Sequence, residues 1–173
     1  MKNRFKMIAS GYLMLVREGN ILLSRRFQTG YEDGKYSLPA GHIEDGETLT
    51  AGTCREIYEE IGVELKSSDL KLVHVMHRKH FDIRMDFFFT TDKSGLKPEN
   101  REPEKCDDLS WFPLDALPEN TIPYIRAAIE QYQRKIFYSE FGWEYCLNPS
   151  NHRTLTSMTG KSKERSAKLN GAR

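Results

Sequence analysis

The run from Gly41 to Val63 constrains this chain more than any other stretch. Its 23 residues read glycine, five residues, Glu47, seven residues, then Arg55-Glu56-Ile57-Tyr58-Glu59-Glu60-Ile61-Gly62-Val63. From Thr48 to Ile61 there is no proline and apolar residues recur at helical spacing, which predicts a helix. Cys54, Ile57 and Ile61 fall on one stripe, because positions three and four apart share a face. Glu56, Glu59 and Glu60 have the same spacing but occupy another sector, at roughly 100° per residue. One side is fitted to pack on a sheet and the other carries three carboxylates. Gly62 reads as the helix C-cap. Gly52, one turn before Glu56, leaves room for a ligand or backbone to come close.

Three carboxylates this near one another repel, by a few tenths of a kcal/mol for each pair four apart. A purely structural helix would usually dilute them with lysine, yet Arg55 is the one cation between Glu47 and Lys66. Hard cations reward such an arrangement. Mg²⁺ takes one or two carboxylates and keeps waters and substrate phosphates, and carboxylates also suit Mn²⁺.

The whole string, G-x5-E-x7-R-E-U-x-E-E-x-G-U with U aliphatic, resembles the Nudix box, the signature of hydrolases that cleave nucleoside diphosphates linked to other groups. Seven positions match by identity and two as aliphatic residues, where a lone Glu-Glu pair would carry little. The resemblance implies that Glu56, Glu59 and Glu60 hold Mg²⁺ or Mn²⁺, with Glu47 supporting them and the backbone carbonyl of Gly41 touching metal. Arg55 would pair with a box carboxylate and fix its orientation. Glu56 and Glu59 would serve catalysis directly. The implied fold is an α/β/α sandwich with a mixed β-sheet between helices, over roughly residues 5 to 138.

Composition bounds the rest. At 173 residues the chain reads as one domain over residues 1–149. The stretch from residue 150 to 173 is small, polar and basic, and reads as a flexible tail. Net charge is +1, which gives no electrostatic case for duplex nucleic acid as a partner. No apolar run is long enough to span a bilayer. The basic start is followed by an apolar stretch broken at Ser10-Gly11, a poor signal peptide. Cys54, Cys106 and Cys146 form no close pair, so a reduced, cytoplasmic setting is expected. A monomer and a homodimer both remain open.

Along the chain, Met7 to Arg17 and Ile21 to Ser24 read as a hairpin turning at Glu18-Gly19-Asn20. Leu70 to His77, Arg84 to Thr91 and Leu109 to Phe112 read as further strands. Thr121 to Tyr138 reads as a helix with Ile122, Ile125, Ile129 and Tyr132 along its seam. Phe87, Phe88, Phe89, Trp111 and Phe112 are expected in the core, and one of them, or Tyr12, could stack on a base.

A second layer of resemblance is to MutT-type members, which hydrolyse nucleoside triphosphates. Arg25-Arg26 closes the second strand as an arginine pair does there, and it marks Arg26 as a nucleotide contact; a guanidinium forks onto phosphate or a base edge. Asn120 stands where those enzymes read a purine edge with an amide. Glu104 lies in the loop where they place an acidic ligand or base, with Glu102 as its rival. His42 replaces their lysine, and Pro39-Ala40-Gly41 replaces Pro-Gly-Gly. A neutral imidazole binds phosphate more weakly than lysine. The Ser-Gln-Pro-Trp string of NADH-cleaving members is absent after the box, and Lys79 stands where the ADP-ribose pattern has proline. The favoured substrate is a nucleoside triphosphate, cleaved by water attack on phosphorus. An ADP-ribose or nucleotide-sugar pyrophosphatase, a catalytically weak nucleotide sensor and a decapping enzyme for RNA ends are the alternatives.

Overall fold

The structure, a computed structural model, describes residues 5–143. Its first compact unit is Met1–Phe141 and a second, Gly142–Arg173, falls almost entirely outside the described residues. The tail expected from residue 150 lies there too.

The elements run β1 (Ile8–Leu13), β2 (Val16–Arg17), β3 (Asn20–Arg26), β4 (Tyr36–Ser37), β5 (Ala40–His42), α1 (Leu49–Ile61), β6 (Lys71–Lys79), β7 (Ile83–Thr90), β8 (Cys106–Pro113), α2 (Pro123–Gln133) and β9 (Tyr138–Phe141). A five-stranded sheet has the order β5-β1-β7-β6-β9. It is mixed: β1 pairs parallel with β7, β6 pairs parallel with β9, and the other two pairings are antiparallel. In a second sheet, β8 runs along the whole of β3, while β2 and β4 pair with its two ends.

The single strand expected over Met7 to Arg17 is two strands, because the chain changes sheets between them. The amide of Met14 still donates to Phe89 of the first sheet, 2.7 Å away, whereas the carbonyl of Leu15 accepts from Leu22 of the second, at 3.0 Å. Neighbouring side chains at this point enter different cores. Tyr12 and Met14 join one buried cluster with Met76, Phe88 and Ile125 and Ile129 of α2. Leu13 and Leu15 join the other with Ile57 and Ile61 of α1. With strand side chains alternating in direction, the two helices cover opposite faces, giving the expected α/β/α sandwich. Burial of Ile57 and Ile61 contributes roughly 1.5–3 kcal/mol each, and it fixes which sector of α1 is left to face the site.

α1 matches its expected span. The hydroxyl of Thr48 accepts from the amide of Ala51 at 3.2 Å as N-cap, and Gly62, at φ +66°, closes the helix with its amide on Tyr58. The last helix is shorter than expected. It stops at Gln133, Lys135 takes φ +58°, and Tyr138–Phe141 pairs in parallel with Val75 to Arg78. Side-chain periodicity continued past that point, but pairing with β6 overrode it. Of the aromatics expected in the core, Phe88 and Phe89 are buried, while Trp111 is exposed with Arg17 over its ring.

His74 secures the β6–β9 junction. It is fully buried, one ring nitrogen lies 2.8 Å from the carbonyl of Ile136, and the other lies 2.9 Å from the hydroxyl of Ser139. A carbonyl only accepts, so Nδ1 carries the proton and neutral imidazole satisfies both partners. Burial holds the His74 pKa below its ordinary 6.5. The unfolded chain therefore binds this proton more readily than the native one. The contribution of His74 to stability is expected to be level above about pH 7 and to be lost as pH drops through 6.5. Urea midpoints of wild type and His74→Gln across that range should therefore differ most above pH 7 and converge as pH falls; a difference that stays constant would assign the pH dependence elsewhere.

Candidate active site

A cleft of about 760 Å³ opens where the β5 edge, α1 and the loops after β3 and before β8 meet. Glu56, Glu59 and Glu60 line it from α1, together with Arg55. Gly41 and His42 come from β5, Ser10 and Tyr12 from β1, Arg78 from β6 and Arg84 from β7.

Arg55 organises the acidic face. Its Nη2 and Nε reach the two oxygens of Glu47 at 2.9 and 3.2 Å, and its Nη1 reaches Glu56 at 3.0 Å and Glu59 at 3.2 Å. These contacts hold Glu47 below the ordinary carboxylate range. Glu47 does not line the cleft; it anchors Arg55 from behind, and the missing side chain of Gly52 gives its carboxylate room. A Cβ on Gly52 would lie 2.4 Å from Glu47 Oε1. The close approach expected there is made by that carboxylate.

Glu60 is the deepest of the box carboxylates. The amide of Ala40 donates to its Oε2 at 2.9 Å, yet loss of solvent pushes its pKa up to about 8, with Glu56 and Glu102 adding to the rise. Burial also raises Glu56, against the pull of Arg55. Gly41 sits hard against Glu56: a Cβ there would stand 1.9 Å from the carboxyl carbon. Gly41→Ala is therefore expected to displace Glu56 and lower turnover at least about tenfold while moving the melting temperature little, since the site lies at a sheet edge. Circular dichroism melts beside an activity assay would check both halves.

Glu102, not Glu104, is the loop carboxylate in the cleft. The carbonyl of Glu102 accepts from the amides of Lys105 and Cys106, both at 2.9 Å. This turn leaves Glu104 exposed and outside the lining, while Glu102 lines the cleft and its charge acts on both Glu56 and Glu60. His42 lines the rim, and its Nε2 lies 2.8 Å from Arg84 Nη1. Arginine can only donate, so His42 is neutral with its proton on Nδ1. Loss of solvent and the Arg84 charge keep its pKa below the ordinary value. Arg84 thus supplies the cation that the histidine does not. It is 42 residues away in sequence and no motif marks it.

Arg26 lines the cleft, but its guanidinium is committed to its own loop, with Nε on the Tyr31 carbonyl at 2.7 Å and Nη2 on the Thr29 hydroxyl at 3.1 Å. Asn120 is exposed, is not part of the lining, and donates to the Gly34 carbonyl at 2.7 Å. Both side chains expected to meet nucleotide thus also make contacts within the protein, Arg26 from inside the cleft and Asn120 from outside its lining.

Could the acidic cluster hold a divalent cation? Among the described residues, no three His, Cys, Asp or Glu side chains close into a metal cage; Arg55 draws two of the carboxylates to itself. The donor set nevertheless fits. It is all oxygen, it is open to the cleft, and Glu60 sits where a neighbouring positive charge would relieve an otherwise costly buried carboxylate.

The family model of the NUDIX domain matches residues 6–132. The chain belongs to the NUDIX family. Nudix members generally use divalent ions such as Mg²⁺. Among curated relatives, the NAD-capped RNA hydrolase NudC of Chromobacterium violaceum is 33% identical over 116 residues, which cover 67% of this chain and 42% of that protein. The RNA pyrophosphohydrolase of Rhizobium meliloti is 28% identical, over 70% of this chain and 87% of that one. The chain thus spans less than half the length of its NudC relative. Among solved structures, the MutT Nudix hydrolase of Burkholderia pseudomallei superposes with a TM-score of 0.66 at 30% identity, covering 73% of this chain and 98% of that one. The MutT protein of Methanosarcina mazei, at 23% identity and a TM-score of 0.63, shares the fold. The expected Nudix membership and sandwich are borne out. No described helix is long and apolar enough to cross a membrane.

Proposed function

We propose that this Nudix chain hydrolyses a pyrophosphate linkage in a nucleoside di- or triphosphate derivative, with Glu56, Glu59 and Glu60 holding Mg²⁺ or Mn²⁺ and Gly41 offering its carbonyl. The observation that carries the reading is the convergence of Glu56, Glu60 and Glu102 on one cleft, with the pKa of Glu60 pushed up to about 8. Such a cluster is costly until a cation enters it. A bound divalent ion would neutralise charge on the phosphoryl oxygens and make water a better nucleophile.

The protein's own groups supply the rest. Arg55 balances the acidic face and fixes the rotamers of Glu47, Glu56 and Glu59. Glu56, raised by burial, or Glu102 opposite it, takes the proton from attacking water. Arg84, with His42 beside it, offers donors to phosphate oxygens at the rim. The MutT-like nucleoside triphosphate remains the favoured substrate, ahead of ADP-ribose or a nucleotide sugar, for which the sequence carries no signature. A second reading is the 5′ end of an RNA, favoured because the relatives above are named an NAD-capped RNA hydrolase and an RNA pyrophosphohydrolase. A sensor module without turnover would keep the cleft and lose a box carboxylate, and none is missing. A panel of nucleoside triphosphates, ADP-ribose and 5′-triphosphorylated RNA in Mg²⁺, scored for phosphate and pyrophosphate release, tests the reading. Hydrolysis of at least one, abolished by chelator, is expected; binding without turnover across the panel would overturn it.

A further inference from the structure

The loop between β3 and β4 is built at a cost that its position on the surface does not require. Gln28 and Glu32 take left-handed φ values of +53° and +52°, and Gly30 and Gly34 take +78° and +79°. Non-glycine residues rarely adopt that region, and where they do so they tend to cluster at ligand-binding sites. Several ties hold the loop in place. Asp33 accepts from the Thr29 amide at 3.0 Å, the Thr29 hydroxyl at 2.6 Å and the Gly30 amide at 2.9 Å. Arg26 holds Thr29 and Tyr31, and Asn120 reaches across from the approach to α2 to hold Gly34.

What this rigidity delivers is Tyr31. Its ring lies against the Arg26 guanidinium, 5.4 Å from carbon to ring centre, and meets the edge of His80 at 6.3 Å. Gln28, Thr29 and Tyr31 all line the cleft. The two residues singled out as nucleotide contacts by their place in the sequence both terminate on this loop.

We propose that the 27–35 loop is a preformed wall for the planar, base-like group of the substrate, with Tyr31 as the contact and Arg26 and Asn120 as positioning residues acting through it. The inference rests on the nucleotide reading above. A rigid aromatic wall lowers the ordering cost of binding, because the loop is already in its bound form. Base stacking on such a ring tolerates different bases. Arg26 has its Nε and one terminal nitrogen committed to the loop, so its removal should act only as far as Tyr31 moves.

The test measures equilibrium binding, so that it does not depend on turnover. Adenosine 5′-(α,β-methylene)triphosphate and base-free methylenediphosphonate are titrated in Mg²⁺ by calorimetry against the full chain. Tyr31→Leu, Arg26→Ala, their double variant and Tyr31→Phe are compared with wild type. Tyr31→Leu is expected to weaken the nucleotide about tenfold and to leave methylenediphosphonate within about twofold. Tyr31→Phe should bind as wild type. Arg26→Ala should weaken the nucleotide, and the double variant should be no weaker than Tyr31→Leu. Additive losses, near a hundredfold in the double variant, would make Arg26 a direct contact and overturn the positioning role. Equal losses for both ligands would overturn the wall. Should a variant melt well below wild type, Asn120→Ala, which leaves both side chains in place, is expected to weaken only the nucleotide, and no change would again overturn the inference. Wild type that binds the nucleotide but hydrolyses no member of the panel refutes the pyrophosphatase reading alone.

Discussion

Glu56→Gln is expected to lower metal-dependent turnover by about 10³-fold, roughly 4 kcal/mol of transition-state stabilisation, without lowering stability. The carboxylate is partly buried, raised by desolvation and close to Glu59 and Glu102, so a neutral amide of the same shape relieves repulsion. Arg55 keeps its two contacts with Glu47 and its contact with Glu59. A residue serving only to hold the helix would show the reverse, a lower melting temperature with activity intact. Initial rates and thermal melts on the same preparation separate the two. A variant as active as wild type would remove Glu56 from the reaction.

The second large effect lies beneath the cleft. Arg78 and Asp86 are 3% and 0% exposed, and two guanidinium nitrogens of Arg78 donate to the two oxygens of Asp86. The guanidinium also lies over Tyr124, 3.9 Å from its ring centre. Burial pushes the Asp86 pKa up by more than Arg78 pulls it down. Desolvation offsets much of the attraction within such a buried pair, and the cost appears when one partner is removed. Asp86→Ala leaves a buried arginine unpaired and is expected to cost about 3–5 kcal/mol. The double replacement Arg78→Met with Asp86→Leu should recover most of that. Urea unfolding of the three variants tests it, and a loss below about 1 kcal/mol for Asp86→Ala would mean that water reaches the arginine.

What could be read from the sequence was local. α1 was legible to within a residue because the apolar periodicity from Thr48 and the Gly62 stop agree. The box glutamates were legible because one helix face carries them at fixed spacing. The break between β1 and β2 was not, since nothing local marks a strand that changes sheets. β9 was hidden because Ile136 and Phe137 continue a helical apolar pattern, and only pairing with β6 decides against it. The same limit applies in the cleft. Arg84 and His42 meet through the pairing of distant strands, and Glu102 displaces Glu104 because of a turn formed by two backbone amides. Arg26 lines the cleft and Asn120 does not, and the partners of both belong to a loop whose left-handed residues give no compositional signal apart from glycine.

The claim on which the rest depends is that the carboxylates of α1 hold a divalent cation. Mn²⁺ titration followed by the electron paramagnetic resonance signal of the free ion tests it directly, in wild type and in Glu60→Gln at about pH 7.5. Wild type is expected to bind Mn²⁺ and Glu60→Gln to bind it at least about tenfold more weakly, with an unchanged fold. Equal affinity in the two proteins, or no binding by wild type in the presence of nucleotide, would contradict it.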